Sequence, residues 1–297
     1  MDITHENLSD LFRGFQAAFN EGVTRDQAAS QWPVIAEEMP SGTSEETYDW
    51  LKDIPGLREW VGDRFVHQLG TTGFRLINKD WESTIAVDTN KIEDDRYGVL
   101  GPRFRLMGQA KARHPDEVLW ALLKTGFSTV CWDGQYFFDT DHPSLDKNGA
   151  ATTRANTDGG SGTPWFLLAS RSLLKPLIWQ KRKDGEFEQL TPPEYVKRNR
   201  KVEYGVHVRA VAGFGFWPGI WGSKQTLNET NYGIARAAMI DMKGDYDKPL
   251  GLVPDLLLVP GALDEAGRKI VEAEYNSSGA SNVFRGTARL VTVPWLA

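Results

Sequence analysis

The chain has 297 residues, a formal net charge of −6, 40% hydrophobic and 25% charged residues, and eleven tryptophans. That length buries a large core without staples, and the composition excludes a disordered chain. The acidic balance gives no global basic field to attract nucleic acid, which disfavours nonspecific DNA binding while leaving a local basic face open.

The single cysteine, Cys131, excludes an internal disulfide, and the start MDITHENLSDLF lacks the basic and apolar regions of a signal peptide. No apolar run approaches the ~18 residues that span a bilayer. A soluble protein of cytoplasmic origin, with no membrane partner, is the expectation.

Leu8, Leu11, Phe12, Phe15 and Phe19 recur at three- and four-residue steps, the pattern of an amphipathic helix. Ser44 reads as the N-cap of a second, short helix with Glu45 and Glu46 in its first turn and Pro55 at its end. The first sixty residues therefore read as helices on an arm. Residues 64 to 87 read as a long hairpin, with Val66, Phe74, Leu76, Ile77, Trp81, Ile85 and Val87 among turn signals that include Asn78, Lys79 and Asp80. Glu93, Asp94 and Asp95 then lead a helix over about 94 to 126, and acids suit the positive end of its dipole. Pro115, followed by Asp116 and Glu117, predicts a break near His114.

Residues 144 to 164 carry almost no large apolar side chain and four glycines, which predicts a mobile surface loop. WFLLAS, LLKPLIWQKRK and VEYGVHVRAVAGFGFWPGIWGS read as strands. A helix is expected from about Asn228 to Met242 through Ile234, Ala237, Ala238 and Met239. PDLLLVP is a continuous apolar run typical of a buried strand, and the helix ALDEAGRKIVEAEY follows it. The fold class is α+β, with helices and long strands in separate regions.

Chemical motifs are few. GFGFWPG has close glycines, but Trp217 and Pro218 stand where a phosphate-binding helix would start, so tight strand packing is the preferred reading. There is no GxSxG, HExxH, CxxC or P-loop lysine, and the histidines are scattered at 5, 67, 114, 142 and 207. Asp94 and Asp95 read as helix-start acids rather than catalytic carboxylates. The densest stretch is CWDGQYFFDTDHP, residues 131 to 143, where Asp139, Asp141 and His142 offer oxygen and nitrogen ligands. A metal there would need ligands from elsewhere. The preferred reading has Asp139 or Asp141 capping a turn ahead of Pro143. No catalytic, cofactor or metal residue is assigned, and the alternative is a metal-dependent hydrolase built on Asp139, Asp141 and His142.

The segments YDWLKDIPGLREWVGDR, NKDWESTIAVDTNKIEDDRYG, HPDEVLWALLKTGF, CWDGQYFFDTDHP, KPLIWQKRK, AGFGFWPG and PDLLLVPGAL occur in that order from Tyr48 toward the C-terminus. Together they resemble the landmarks of the Mu-type phage and prophage major head subunit. That resemblance implies a shell-forming capsid protein with the Hong Kong 97-type fold. It implies an N-terminal arm over 1–60, an extended E-loop over 61–91, and a peripheral domain formed by a spine helix over 92–128 with long strands over 164–222. An axial domain would take 129–163 and 223–297.

By the same resemblance CWDGQYFFDTDHP becomes the exit from the spine helix, with no chemistry implied. Phe74, Leu76, Lys79, Trp81 and Ile85 become contacts between subunits. The implied partners are further copies of the chain in pentameric and hexameric capsomers of a closed shell, together with scaffold, portal and decoration proteins. Packaged DNA would be met weakly and nonspecifically, through QKRK (180–183) or KRNRK (197–201) if either faces inward. The implied location is the virion, with assembly in the cytoplasm of a bacterial host.

Overall fold

A computed structural model describes residues 5–48, 74–93, 99–276 and 278–297. The first helix, α1 (His5–Gln27), is amphipathic as its spacing requires, and it buries Phe15 and Phe19. A 3-10 turn at Trp32–Val34 leads into β1 (Ala36–Pro40) and then β2 (Glu45–Thr47). The helix expected after Ser44 is thus replaced, at its start, by a strand. The Glu46 carboxylate accepts from Gly42 N at 2.9 Å, Thr43 N at 3.2 Å and Ser41 Oγ at 3.0 Å, so it caps the turn before it instead of a helix after it.

Next come β3 (Arg75–Ile77), β4 (Lys79–Asp88), the short α2 (Thr89–Glu93) and the long α3 (Gly101–Thr125). Among the described residues, 75–77 and 79–88 do not pair with each other across the expected tip at Asn78. β3 pairs with β2, while β4 runs antiparallel to a later strand, and Asn78 between them is buried. Its amide donates to Ser41 Oγ at 2.9 Å and Thr43 O at 3.0 Å, and its oxygen accepts from Gln180 Nε2 at 2.9 Å. Residues 61–73 of the expected E-loop, and Asp94 and Asp95, lie outside the described residues.

The helix α3 runs through Pro115 as one element and has no acid in its first turn, contrary to the expected break and acidic start. Next to the proline, the buried Asp116 carboxylate accepts from Gln31 N at 3.1 Å, Trp32 N at 2.7 Å and Trp120 Nε1 at 3.1 Å, and from Ser30 Oγ. One charge therefore fixes the chain leaving α1 onto the middle of α3. The two helices meet backbone to backbone. A Cβ on Gly22 would sit 2.1 Å from Arg105 O, and one on Gly108 would sit 2.0 Å from Phe19 O, so only glycine fits at either crossing point.

The second half supplies β5 (His142–Leu145), β6 (Ala151–Arg154), β7 (Thr157–Gly160), β8 (Trp165–Leu168), β9 (Leu177–Lys183), β10 (Phe187–Gln189), α4 (Pro193–Asn199) and β11 (Lys201–Phe214). After these come β12 (Ile220–Lys224), α5 (Glu229–Ile240), β13 (Leu256–Val259), α6 (Asp264–Val271) and β14 (Arg289–Thr292). Asn228 caps α5, its side chain accepting from Asn231 N at 2.9 Å. The expected mobile loop at 144–164 holds β6, β7 and the second half of β5. Its hairpin is polar but anchored: Asp245 accepts from Leu145 N at 2.9 Å, and Asp247 accepts from Arg154 Nη2 at 2.6 Å.

Two five-stranded sheets organise the chain. One has the order β1-β9-β11-β10, with β4 also on β11 through ten consecutive pairs from Lys201↔Asp88 to Ala210↔Lys79. The other has the order β14-β13-β8-β12-β7. β8 and β12 thus join β13 and β14 rather than the long strands, and the sheets cut across the block expected at 164–222. The cause is burial, since WFLL of β8 and LLLV of β13 are apolar at every position and pair side by side inside the core. A large core gathers both sheets around the C-terminal half of α3, while Phe15, Phe19, Phe104, Phe187 and Tyr204 form a second, aromatic core under α1.

Candidate functional site

The stretch 131–143 follows α3 directly. Gly134, at φ +95°, takes the left-handed conformation that lets the chain reverse between Cys131 and Gln135, and Cys131 N donates to Gln135 O at 2.8 Å. The reversal turns Asp133 inward. Its Oδ2 lies 2.6 Å from Nδ1 of His142, a fully buried ring, and its Oδ1 accepts from Gln135 N at 3.1 Å and from the Cys131 thiol at 3.0 Å.

The other nitrogen of His142, Nε2, lies 3.2 Å from Asn156 Oδ1. The ring is stacked on Trp217, with centroids 3.9 Å apart and planes 8° apart. Asn156, itself buried, donates through Nδ2 to Phe137 O at 2.8 Å and accepts at Oδ1 from Asp139 N at 3.0 Å. Burial raises the Asp133 carboxyl, but hydrogen bonds from His142 and Cys131 and the charge of His142 outweigh it and hold the group below the usual carboxylate range. Burial, with Asp133 beside it, pushes the Cys131 thiol up, which keeps it a protonated donor rather than a nucleophile.

This arrangement corrects the grouping expected from sequence. His142 pairs with Asp133, not with Asp139 or Asp141. Asp139 is half-buried and caps the turn, accepting from Thr140 N at 2.7 Å and Tyr136 N at 3.2 Å. Asp141 is exposed, and its hydrogen bond with Asp139 raises its carboxyl. Cys131, Asp133 and His142 have the donor types of a metal site and come within 4.8 Å of one another, but their polar atoms are turned onto each other in hydrogen bonds. The signal in the sequence was Cys131-x-Asp133 followed by His142, with Asp-Gly marking the turn that brings them together.

The residues expected at subunit contacts are spread over β3 and β4, with Phe74 just before β3. Leu76 is buried against Tyr48, Ile178 and Val211, with Phe74 packed beside it. Trp81 is half-buried, donating from Nε1 to Ala210 O at 3.0 Å, with its ring 4.4 Å from that of His114. Ile85 packs against the aromatic core, and Lys79 is exposed. Ile77, beside Leu76, is 61% exposed.

The family model described as Mu-like prophage major head subunit gpT matches residues 8–296. The chain belongs to the Mu-like prophage major head subunit family. It is 36% identical over 285 residues to the Mu-like prophage FluMu major head subunit of Haemophilus influenzae, covering 93% of this chain and 92% of that one. It is 34% identical to the major capsid protein of Escherichia phage Mu, with 100% of each chain covered. Among solved structures, the procapsid of bacteriophage JBD30 matches with a TM-score of 0.85 and 37% identity, covering 99% of this chain and 100% of that one. The fold is therefore the Hong Kong 97-type capsid fold, and the function is that of a major head subunit, a building block of the capsid shell. The hydrolase alternative has no support. The polar network around His142 sits at the exit of α3.

Proposed function

We propose that the exposed edge where β3 meets β4 carries contacts between subunits, with residues 61–91 acting as the E-loop, 1–60 as the N-terminal arm and α3 as the spine of the peripheral domain. The carrying observation is Ile77, an isoleucine 61% exposed next to the buried Leu76 and the exposed Lys79. An apolar side chain presented at the foot of a strand is the anchor that a neighbouring copy covers, and burying it contributes on the order of 1.5–3 kcal/mol at every repeat of the contact. Phe74, Leu76, Trp81 and Ile85 hold the root in place within the subunit, which makes Ile77 and Lys79 the residues that reach outward.

The shell assembles from capsomer rings in the bacterial cytoplasm, with scaffold, portal and decoration proteins as partners, and no catalysis is required. DNA inside meets Arg198, Arg200 and Lys201, which are exposed. The other basic run is already neutralised in part, since Lys181 pairs with Glu38 at 2.6 Å and Lys183 with Glu188 at 3.5 Å. The test is Ile77→Asp together with Lys79→Glu, assayed by a thermal melt and electron microscopy on the same sample. The expected result is an unchanged melt with loss of closed shells. Normal shells would overturn the assignment.

A further inference from the structure

The protons on the buried ring of His142 follow from its neighbours. Asn156 has a fixed orientation. Turning its amide over would aim Nδ2 at the Asp139 N–H and Oδ1 at the carbonyl of Phe137, setting donor against donor and acceptor against acceptor. Oδ1 therefore faces Nε2 of His142, and that nitrogen must carry a hydrogen to donate. On the other side, a carboxylate oxygen stands 2.6 Å from Nδ1, so a hydrogen must lie between them as well. The ring is fully buried, which leaves no solvent to satisfy either nitrogen by another route.

We propose that His142 and Asp133 hold two protons between them in the folded protein, one on Nε2 and one in the Nδ1–Oδ2 contact, so that folding takes up a proton at neutral and alkaline pH. In the unfolded chain, above the ordinary histidine range of about 6.5, the same two groups hold one. The titratable groups facing the ring are Asp133 in contact, Cys131 behind it, and the exposed Asp141 next in the chain. Asn156 meets Nε2 and Trp217 covers one face of the ring; both are neutral, and the parallel indole face accommodates positive charge on the ring. The network ties together the turn after α3, the start of β5, Asn156 ahead of β7, and the turn between β11 and β12. It is a proton-dependent lock on the exit of the spine helix.

The substitution Asp133→Asn separates this proposal from a plain structural hydrogen bond. An amide oxygen at 133 keeps the hydrogen bonds from Cys131 and Gln135, while its NH2 donates to Nδ1, so a neutral His142 with one hydrogen then satisfies every partner. Chemical unfolding of the full-length, unassembled subunit is measured at steps from about pH 7 to pH 9. The wild-type unfolding constant should rise about tenfold more per pH unit than that of Asp133→Asn, the signature of one proton released on unfolding. Identical slopes would overturn the proposal. If Asp133→Asn does not fold, ring nitrogen spectra of the wild-type chain labelled at histidine decide the matter, with the His142 signals assigned by His142→Gln. Two protonated nitrogens at neutral pH are expected, and a lone pair on Nε2, or one on Nδ1 facing an ionised Asp133, overturns the proposal. One zinc ion per chain, lost in Cys131→Ser, would overturn it too, since the cluster would then hold a metal in place of the shared proton.

Discussion

The two halves of α3 are secured by opposite means. Its N-terminal half leans on rings, with Phe104 4.3 Å from Phe15, 5.5 Å from Phe187 and 5.3 Å from Tyr204, and its polar contacts to α1, such as Arg105 with Glu21 at 2.8 Å, lie at the surface. Its exit is held by a turn whose buried aspartate, histidine and asparagine must each find a stated partner. The first depends on volume and yields gradually, because apolar contacts are individually small and numerous. The second depends on matching donors to acceptors and fails one group at a time, because each orphaned buried polar atom carries its full desolvation cost.

The largest loss is expected at Phe104. Phe104→Ala should cost about 3–5 kcal/mol, since the side chain is fully buried and the surrounding rings cannot collapse onto the cavity. A denaturant melt measures it, and a loss under about 1 kcal/mol would show that α1 is not a core element. Next comes Asn156→Leu, close in volume but unable to hydrogen-bond. It orphans the Asp139 N–H and the second nitrogen of His142, at about 1–3 kcal/mol for each group left unsatisfied. A loss of stability in Asn156→Leu no larger than that of an exposed asparagine would refute the polar account of the exit.

The smallest effect is in acid. The folded Asp133 carboxyl is held below the ordinary carboxylate range, so its contribution is complete above that range and is lost as pH falls through the lowered value. Acid melts of wild type and Asp133→Asn should therefore converge, and a gap that widens as pH falls would contradict this sign.

The parts that could be read from sequence are those whose information is local. The spacing of Phe12, Phe15 and Phe19 gives α1, Asn228 announces α5, and the run LLLV gives a buried strand, because each encodes its own period or cap. The β5–β6 hairpin escaped because its stability is borrowed from Asp245 and Asp247, about a hundred residues away. The split between the sheets escaped for a related reason: a strand apolar on both faces does not state which neighbour it will take.

At the candidate site the right histidine was visible, but the carboxylates nearest in sequence were the wrong partners. Chain reversal at Gly134 brings in the aspartate nine residues back, and sequence proximity says nothing of that. The overall resemblance to a head subunit was legible from Tyr48 onward, since it rests on many segments in order rather than on any one geometry.

The aromatic core under α1 also sets a schedule for synthesis. Phe12 stacks on Phe187, a residue about 175 positions later in the chain, at 5.5 Å, and on Tyr204 beyond that at 6.4 Å. At roughly 5–20 residues per second, α1 leaves the ribosome about 10–35 s before the strands that cover its rings exist. During that interval its apolar stripe can pack on α3, through the paired glycines Gly22 and Gly108. This helix is made well before the strands that complete its packing, so a nascent head subunit is exposed to premature association with its sisters along the stripe of α1.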